Sequence, residues 1–245
     1  MRAAVIIPAL NEAGNIRRLL AEIPPSLTFG ASSREVNLAA IVVDNGSTDA
    51  TAVEAADGGA VVISEPRRGY GYACAAGVKA ARDADVYVFM DGDGSFDPAE
   101  MPVLLQPIVA DDAELVLGTR AAHIAPGAMP PHQQFGNQLV SGLMRLLYRL
   151  EVTDLGPYRA IRRDLLVSLD MGEMTFGWPT EMIVKAARRH ARIVEVPIHY
   201  RKRWSGESKV SGTLRGTLLA TYFILGVTLR YAFIPNHSSS DNPRR

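Results

Sequence analysis

The sequence predicts an α/β fold in which a mostly parallel sheet is flanked by helices. In the first half of the chain, short apolar runs rich in β-branched residues alternate with segments of helical periodicity, as in strands joined by crossover helices. The chain has 245 residues, 47% of them hydrophobic, so it can bury a full core. Several apolar runs also end abruptly in polar residues, as strands do at the ligand-binding edge of such a sheet.

The elements of the first half follow one another at regular intervals. Strands are predicted at Ala3–Pro8, Leu38–Asp44, Ala60–Glu65, Val86–Asp91 and Glu114–Arg120. The helices between and after them are predicted at Gly14–Ile23, Asp49–Ala56, Gly71–Ala84 and Pro98–Ala110. In the last of these, Pro98 and Glu100 make a favourable first turn.

The pattern changes after residue 120. Residues 121–132 are rich in Pro, Gly and Ala and are predicted to form a mobile loop. Beyond it, apolar residues recur at helical spacing over residues 135–150, with Arg145 and Arg149 on the other side, which predicts an amphipathic helix with a basic stripe. The next predicted elements are a helix over Thr180–His190 and a strand over Arg192–Arg203.

The C-terminal region predicts one more helix. Residues 216–229 carry no charge, and we predict an apolar helix over residues 212–234. A transmembrane helix needs about 20 apolar residues, so a membrane span is not expected. A helix that is apolar on nearly every side must nevertheless be covered by protein or by lipid, and both alternatives stay open. The tail, residues 236–245, is predicted to be disordered.

The net charge of zero conceals two oppositely charged halves. Residues 1–125 carry 9 basic and 17 acidic residues, a net charge of −8, whereas residues 126–245 carry 17 and 9, a net charge of +8. One interpretation is attraction between the halves. The other is that the acidic half binds a metal and the basic half faces an anionic substrate or a membrane surface. The single cysteine, Cys74, suits a reducing, cytoplasmic compartment, and no nucleic-acid partner is expected.

Three aspartates follow the run of apolar residues that ends at Met90. Asp91, Asp93 and Asp97 lie within seven positions, and carboxylates this close raise one another's pKa unless a cation or hydrogen-bond donors hold them. Mg²⁺ and Mn²⁺ favour oxygen ligands and complete their coordination with phosphate oxygens and water. Acidic turns are common, but this one is a candidate site for a divalent cation bound to a diphosphate.

Two other predicted strands also end in acids or amides. The first runs into Asn11 and Glu12, and the second ends in Asp44. Because the carboxyl ends of parallel strands meet at one edge of a sheet, we expect these side chains to lie near Asp91. A carboxylate in the position of Asp44 suits the recognition of a nucleobase or a ribose hydroxyl, whereas Asp49 is expected to cap the following helix.

The segments VIIPALNE, VVDNGSTDAT, FMDGDGSFDP and LGTR, in this order and at this spacing, resemble family 2 glycosyltransferases with the GT-A fold. The later segments VTDLGPYRAIRR, WPTEM, EVPIHYRKR and GESK are similar to those of polyprenyl-phosphate (dolichyl-phosphate) sugar synthases. The resemblance covers about residues 3–230. It implies one GT-A domain with a Rossmann-like sheet, a nucleotide-sugar half at residues 1–125 and an acceptor half with a helical extension at residues 126–235.

The resemblance also implies roles for donor-side residues. Asp91 and Asp93 would hold Mg²⁺ or Mn²⁺ against the diphosphate, and Arg120 would balance phosphate charge beside it. The nucleotide-sugar would be lined by Pro8, Asn11, Glu12, Asp44, Arg68, Gly69 and Asp91. Three departures from the family's pattern are Ser95 in place of a metal-completing glutamine, Asn45 in place of a second aspartate, and Gly156-Pro157 in place of Ser-Gly.

The implied reaction is attack by an acceptor oxygen on the anomeric carbon of a nucleotide sugar. A hydroxyl acceptor would require a carboxylate base, for which Asp154 and Glu181 are the candidates, although we favour both as organisers of nearby arginines. A lipid phosphate is already largely a dianion, because the second pKa of a phosphate monoester is about 6, so it needs cations instead. The candidates to bind it are Arg159, Arg201, Arg203, Ser208 and Lys209.

Three functions stay open on the sequence alone. We favour an inverting, metal-dependent transfer of a hexose from a UDP- or GDP-sugar to polyprenyl phosphate, at the inner face of the cytoplasmic membrane, with peripheral contact through the C-terminal helix. The alternatives are a family 2 glycosyltransferase acting on a glycan, protein or small-molecule hydroxyl, and a nucleotide-sugar-binding protein without turnover. The sugar, the base and the oligomeric state, a homo-oligomer included, are not readable from the sequence.

Overall fold

The computed structural model describes residues 1–30, 33–206 and 214–234. Its strands form one eight-stranded sheet. They are β1 (Arg2–Ala9), β2 (Ser26–Phe29), β3 (Arg34–Asp44), β4 (Val61–Ser64), β5 (Val86–Phe89), β6 (Leu115–Thr119), β7 (Arg159–Arg162) and β8 (Ile193–Pro197). The α-helices are α1 (Ile16–Glu22), α2 (Thr51–Asp57), α3 (Tyr70–Ala80), α4 (Met101–Val109), α5 (Pro131–Tyr148), α6 (Arg163–Leu169), α7 (Trp178–Arg188) and α8 (Leu214–Phe233), and a 3-10 turn, Pro98–Glu100, precedes α4.

The sheet is mixed but mostly parallel. Its order is β2-β3-β1-β5-β7-β6-β8, and β4 also pairs with β3. β3 is long enough to hold two partners on one edge, with Arg34–Asn37 antiparallel to β2 and Ile41–Asp44 parallel to β4. Only β2 and β7 run against the other strands. The predicted α/β fold with a mostly parallel sheet and flanking helices is confirmed.

Alternating side chains of the strands build a core on each face of the sheet. On one face, Val5 and Ile7 of β1 belong to a core shared with α1 and α4. On the other face, Ala4 and Ile6 belong to a core shared with α3, α6 and α7. Every residue of β5 is buried, so the aspartates that follow it emerge from the centre of the sheet.

Three elements are not predicted from the sequence: β2 in the first half of the chain, and β7 and α6 in the second. The two strands, SLTF and RAIR, have four residues each and are too short for a recognisable alternation. The strand predicted over Arg192–Arg203 ends at Pro197. The loop predicted at residues 121–132 gives way to α5 at Pro131 and is tied to the segment after β8, since the Ala125 N–H donates to the carbonyl of Tyr200 at 2.8 Å.

Protein covers one side of the C-terminal helix. α8 packs against α5 and α7, with the Tyr148 hydroxyl of α5 bound to the carbonyl of Thr228 and the Arg188 guanidinium of α7 bound to carbonyls near the end of α8. Within the described parts of the chain, no helix combines the length and apolarity needed to cross a membrane. The tail at residues 236–245 lies outside the described residues.

Candidate active site

Residues predicted from separate strand ends meet at one edge of the sheet. β1, β3, β4, β5, β6 and β8 run in one direction, so their carboxyl ends share an edge, and the antiparallel β7 begins there. The strand order reverses between β1 and β5, and open α/β sheets bind ligands at such a switch point. Glu12 follows β1 and Asp91 follows β5, so both flank the switch point.

Asp93 is buried, and both oxygens of its carboxylate have partners in the protein. Ser95 donates to Oδ1 through its backbone N–H at 2.9 Å and its hydroxyl at 2.6 Å. The guanidinium of Arg203 contacts Oδ2 at 2.6 Å. The turn requires glycine at position 94, where φ is +75° and a Cβ atom would lie 2.3 Å from the ring of Trp204. Ser95, a departure from the family's pattern, is therefore a partner of the second aspartate.

Asp91 contrasts with Asp93 because no residue in the described part of the chain donates a hydrogen bond to its carboxylate. Burial, together with the charge of Asp93, raises the pKa of Asp91 to about 7. Glu12 acts in the same direction, and the positive charges of Arg120 and Arg203 oppose it. Asp91 is therefore partly protonated near neutral pH, and an added cation would favour its ionised form.

The two carboxylates at this turn suit a divalent cation as ligands. Asp91 and Asp93 are the residues that would hold it, since carboxylate oxygens are the ligands that Mg²⁺ and Mn²⁺ prefer. Over the residues that the structure describes, no three His, Cys, Asp or Glu side chains form a complete metal site. Phosphate oxygens and water would accordingly supply the other ligands, as is usual for Mg²⁺.

Asn11 joins the end of β1 to the loop after β3. It adopts a φ of +52°, and its side-chain oxygen accepts from the Thr48 N–H at 2.8 Å. Its own N–H donates to the Ser47 hydroxyl at 2.9 Å, and the Ser47 N–H donates to Asp44 at 2.9 Å. Pro8 lies in β1 beside the residue that pairs with Asp44. The predicted nucleotide-binding residues of these two strands thus form one connected group.

Arg68 and Gly69 lie in the loop between β4 and α3. The Arg68 guanidinium donates to a carbonyl of the neighbouring β3 loop, that of Gly46, at 2.9 Å. Gly69 has a φ of +151°, and its N–H donates to the side-chain oxygen of Asn45 at 3.0 Å. In the sequence, Asn45 stands out only as a departure from the family's pattern. The structure identifies it as the side chain that holds this loop.

Arg120 and Asp154 form a buried ion pair. Nε and Nη2 of Arg120 contact the two carboxylate oxygens of Asp154 at 2.6 Å each. Asp154 also accepts from the Arg120 and Leu155 N–H groups and from the Asn137 amide of α5. Burial alone would raise the pKa of Asp154, but the hydrogen bonds and charge of Arg120 outweigh it, so the pKa lies below its ordinary value. Asp154 therefore organises an arginine and is a poor proton acceptor.

Glu181 organises a loop and not an arginine, which corrects that part of the prediction. Its buried carboxylate accepts from the N–H groups of Gly172 and Glu173, from the Tyr231 hydroxyl at 2.7 Å and from Lys185 at 2.8 Å. Burial would raise its pKa, but these donors together hold the pKa below its ordinary value. Glu181 also lies in α7 and not at a strand end.

Arg159 lies inside the protein, which corrects its assignment to the acceptor side. It is 1% exposed, and its guanidinium donates to the carbonyl of Pro179 at 2.8 Å, to that of Leu155 at 3.1 Å and to that of Gly156. Burial lowers its pKa to about 10. Arg159 therefore fixes the loop before β7 and is enclosed away from an acceptor.

The segment after β8 crosses over the aspartate turn. The Arg201 N–H donates to the carbonyl of Ser95, and the Trp204 N–H donates to that of Asp93. Nε of Arg201 donates to the carbonyl of Gly94 at 2.9 Å. Two of the predicted acceptor residues, Arg201 and Arg203, thus stand beside the aspartates. Two more, Ser208 and Lys209, lie outside the described residues.

Family comparison identifies the class to which this fold and site belong. A family model described as Glycosyl transferase family 2 matches residues 4–169, more than half of the chain. The chain belongs to glycosyltransferase family 2. The matched range contains Asp91, Asp93, Arg120 and Asp154, whereas the segment that crosses the aspartate turn lies beyond it.

Two relatives of this family 2 chain align with it over most of its length. An uncharacterised glycosyltransferase of Mycobacterium tuberculosis is 40% identical over 216 residues, which cover 88% of this chain and 93% of the relative. An undecaprenyl-phosphate mannosyltransferase of Micrococcus luteus is 31% identical over 247 residues, covering 94% of this chain and 96% of the relative. Both likenesses support a glycosyltransferase.

A solved structure agrees with the fold of this family 2 glycosyltransferase. Glucosyl-3-phosphoglycerate synthase from Mycobacterium tuberculosis, in complex with Mn²⁺, UDP and phosphoglyceric acid, superposes with a TM-score of 0.75 at 25% sequence identity. The match covers 97% of this chain and 80% of that one. The predicted GT-A fold is confirmed.

Proposed function

We propose that this glycosyltransferase transfers a hexose from a nucleotide sugar to a polyprenyl phosphate, with inversion at the anomeric carbon and with Mg²⁺ or Mn²⁺ as cofactor. The relative from Micrococcus luteus, aligned over nearly the whole chain, is named for an undecaprenyl-phosphate acceptor. The synthase with the same fold binds UDP and Mn²⁺. These likenesses support a nucleotide-linked hexose as the donor class, which we propose is a UDP- or GDP-sugar, and a lipid phosphate as the acceptor class.

The observation that carries the proposal is that both candidate bases are already occupied. A hydroxyl acceptor must pass its proton to a base, but Asp154 is paired with Arg120 and Glu181 with Lys185. Both carboxylates have pKa values below their ordinary values, which weakens them further as bases. A phosphate monoester is largely dianionic at neutral pH and can attack without losing a proton, so the site suits a phosphate acceptor.

On the donor side, the proposal assigns the diphosphate to the aspartate turn. A divalent cation held by Asp91 and Asp93 would neutralise charge as the nucleoside diphosphate leaves. Arg120 would add a fixed positive charge, since it is close enough to Asp91 to oppose the rise in that residue's pKa. The nucleoside would extend towards the ends of β1, β3 and β4, over Pro8, Asn11, Glu12, Asp44, Arg68 and Gly69.

On the acceptor side, the proposal assigns the lipid phosphate to Arg201 and Arg203. Both lie beside the aspartate turn on the segment that follows β8. A guanidinium presents several donors to phosphate oxygens, and a cation at the turn would free Arg203 from Asp93. Ser208 and Lys209 follow on the same segment and stay part of the proposed acceptor site.

Exposed apolar side chains on α5 and α8 support contact with a membrane. On α8, Tyr222 and Phe233 are 72% and 79% exposed. On α5, Leu146 is 76% exposed, and Arg145 and Arg149 are exposed beside it. The leucine and the arginines therefore share one face, although the sequence predicts them on opposite sides of the helix. Neither helix contains an acidic residue. We therefore propose that both helices rest on the inner face of the cytoplasmic membrane, where anionic headgroups attract arginine.

The test is product analysis with purified protein. The protein would be incubated with Mn²⁺ or Mg²⁺, a pool of UDP- and GDP-sugars, and undecaprenyl or dolichyl phosphate, and products would be identified by mass spectrometry. We expect a lipid-phosphate hexose that requires metal and is lost in Asp93→Ala. The matched control is Asp112→Ala, which removes an exposed aspartate far from the site. Nuclear magnetic resonance of the product would report the anomeric configuration.

Other outcomes would contradict specific parts of the proposal. Transfer to 3-phosphoglycerate, a glycan or a peptide, with none to lipid phosphate, would replace the acceptor and restore a need for a base. Nucleotide-sugar binding without any product would favour a binding protein. A product with retained configuration would contradict direct displacement.

A further inference from the structure

The side-chain amide of Asn45, the residue that follows β3, binds the loop between β4 and α3, residues 65–69. Asn45 is 7% exposed, and its Nδ2 donates to the carbonyls of Glu65 at 2.8 Å and Arg67 at 2.7 Å. Its Oδ1 accepts from the N–H of Gly69 at 3.0 Å. Three backbone groups of the loop are thereby satisfied by one buried side chain.

This pattern requires an amide at position 45. An amide offers two N–H donors and an accepting oxygen, whereas an ionised carboxylate only accepts. Aspartate at this position would set a negative oxygen against two carbonyl oxygens that now accept at 2.7 and 2.8 Å. A buried acceptor left without a donor is costly. Asn45, where the family's pattern often has aspartate, is therefore matched to the conformation of this loop.

Residues 173–174 lie against the end of this loop and the start of α3. The N–H of Tyr72 donates to the carbonyl of Met174 at 3.2 Å. Glycine makes the close approach feasible, since a Cβ atom at Gly69 would lie 2.5 Å from that carbonyl oxygen, and one at Gly71 would lie 2.5 Å from the carbonyl oxygen of Glu173. The position of residues 173–174 consequently sets the position of the start of α3.

Glu181 holds the segment that contains residues 173–174. The N–H groups of Gly172 and Glu173 both donate to its carboxylate, at 2.8 to 3.1 Å. Its oxygens are also held by Lys185 and Tyr231. Through residues 172–174, Glu181 therefore acts on the end of the β4–α3 loop and the start of α3, although it lies in neither the loop nor the sheet.

We propose that Asn45 and Glu181 are positioning residues for the nucleotide end of the donor site. Asn45 binds the β4–α3 loop directly, and Glu181 holds the segment that packs against the end of that loop and the start of α3. Arg68 of the loop is bonded to the turn that follows Asp44. This inference rests on the proposed function, which assigns the nucleotide to Asp44, Arg68 and Gly69. Under it, Glu181 influences donor binding and takes no proton from an acceptor.

The test is the affinity for UDP and GDP in the presence of Mn²⁺, measured by isothermal titration calorimetry. In Asn45→Asp we expect the Kd of the preferred nucleotide to rise by about tenfold or more. Asn45→Ala should raise it less, because alanine loses donors without adding a charge. Glu181→Gln should also raise the Kd. The matched control is Asn37→Asp, the same change at an exposed position near the other end of β3.

Steady-state kinetics separate positioning from chemistry. All three variants should raise the KM for the donor, with kcat at saturating donor and the KM for the acceptor close to wild type. Asn45→Asp binding as tightly as Asn37→Asp would overturn the role of Asn45, and Asn45→Ala repeats that test should the aspartate variant misfold. A fall in kcat with an unchanged nucleotide Kd in Glu181→Gln would make Glu181 a base. Wild-type protein that binds neither nucleotide would instead refute the proposed function itself.

Discussion

Removing the carboxylate of Asp154 should destabilise the protein severely. In Asp154→Ala, the guanidinium of Arg120 would stay buried without its partner, since the two side chains are 6% and 3% exposed and joined by two contacts of 2.6 Å. Breaking a buried pair in this way costs about 3–5 kcal/mol. For a protein of this size, each kcal/mol lowers the Tm by about 2–4 °C, so we expect a drop of about 6–20 °C in differential scanning calorimetry.

A double variant separates this stability effect from catalysis. Arg120→Met combined with Asp154→Leu removes both charges and fills the space with apolar side chains, which should recover most of the lost stability. It should still lack transfer activity, because the positive charge of Arg120 near the diphosphate is gone. The reasoning would be refuted if Asp154→Ala melted close to the wild-type temperature while kcat collapsed. That result would show that the Arg120–Asp154 pair serves the chemistry and contributes little to stability.

The remaining predictions concern the aspartate turn and the membrane face. Because the pKa of Asp91 is raised from 3.8 to about 7, Mn²⁺ affinity followed by electron paramagnetic resonance should increase from about pH 6 to about pH 8 as the proton leaves. Without metal, the folded state binds that proton more tightly than the unfolded chain, so this carboxyl should lower the free energy of unfolding in urea as pH rises from about 4 to about 7. Gly94→Ala should displace Trp204, because the added Cβ would lie 2.3 Å from its ring, and a red-shifted emission spectrum would report it. Leu146→Glu should weaken sedimentation with anionic liposomes yet leave turnover of a water-soluble short-chain acceptor unchanged, unlike Leu146→Met, which should keep both.

The donor edge could be predicted because its signals are local. β1 was expected at Ala3–Pro8 and spans Arg2–Ala9, since consecutive apolar residues define a buried strand without reference to the rest of the chain. The rule that parallel strands end at one edge then predicts that Asp44 and Asp91 lie at the same edge of the sheet. The sequence also predicts Asn45 at this edge. That this position requires an amide side chain could not be predicted, because the requirement depends on two carbonyls about twenty residues away.

The acceptor side could not be predicted because the role of each charged residue depends on a partner that is distant in the sequence. Asp154 could serve as a base or an organiser until Arg120, 34 positions earlier, is found against it. Arg203 lies 110 positions from the aspartate it contacts, and no periodicity reports such a pairing. Arg159 cannot be distinguished in sequence from Arg162 and Arg163, but it begins a strand that lies between β5 and β6 and is buried there. Because its buried guanidinium donates to carbonyls inside the protein, Arg159 is not available to bind an acceptor.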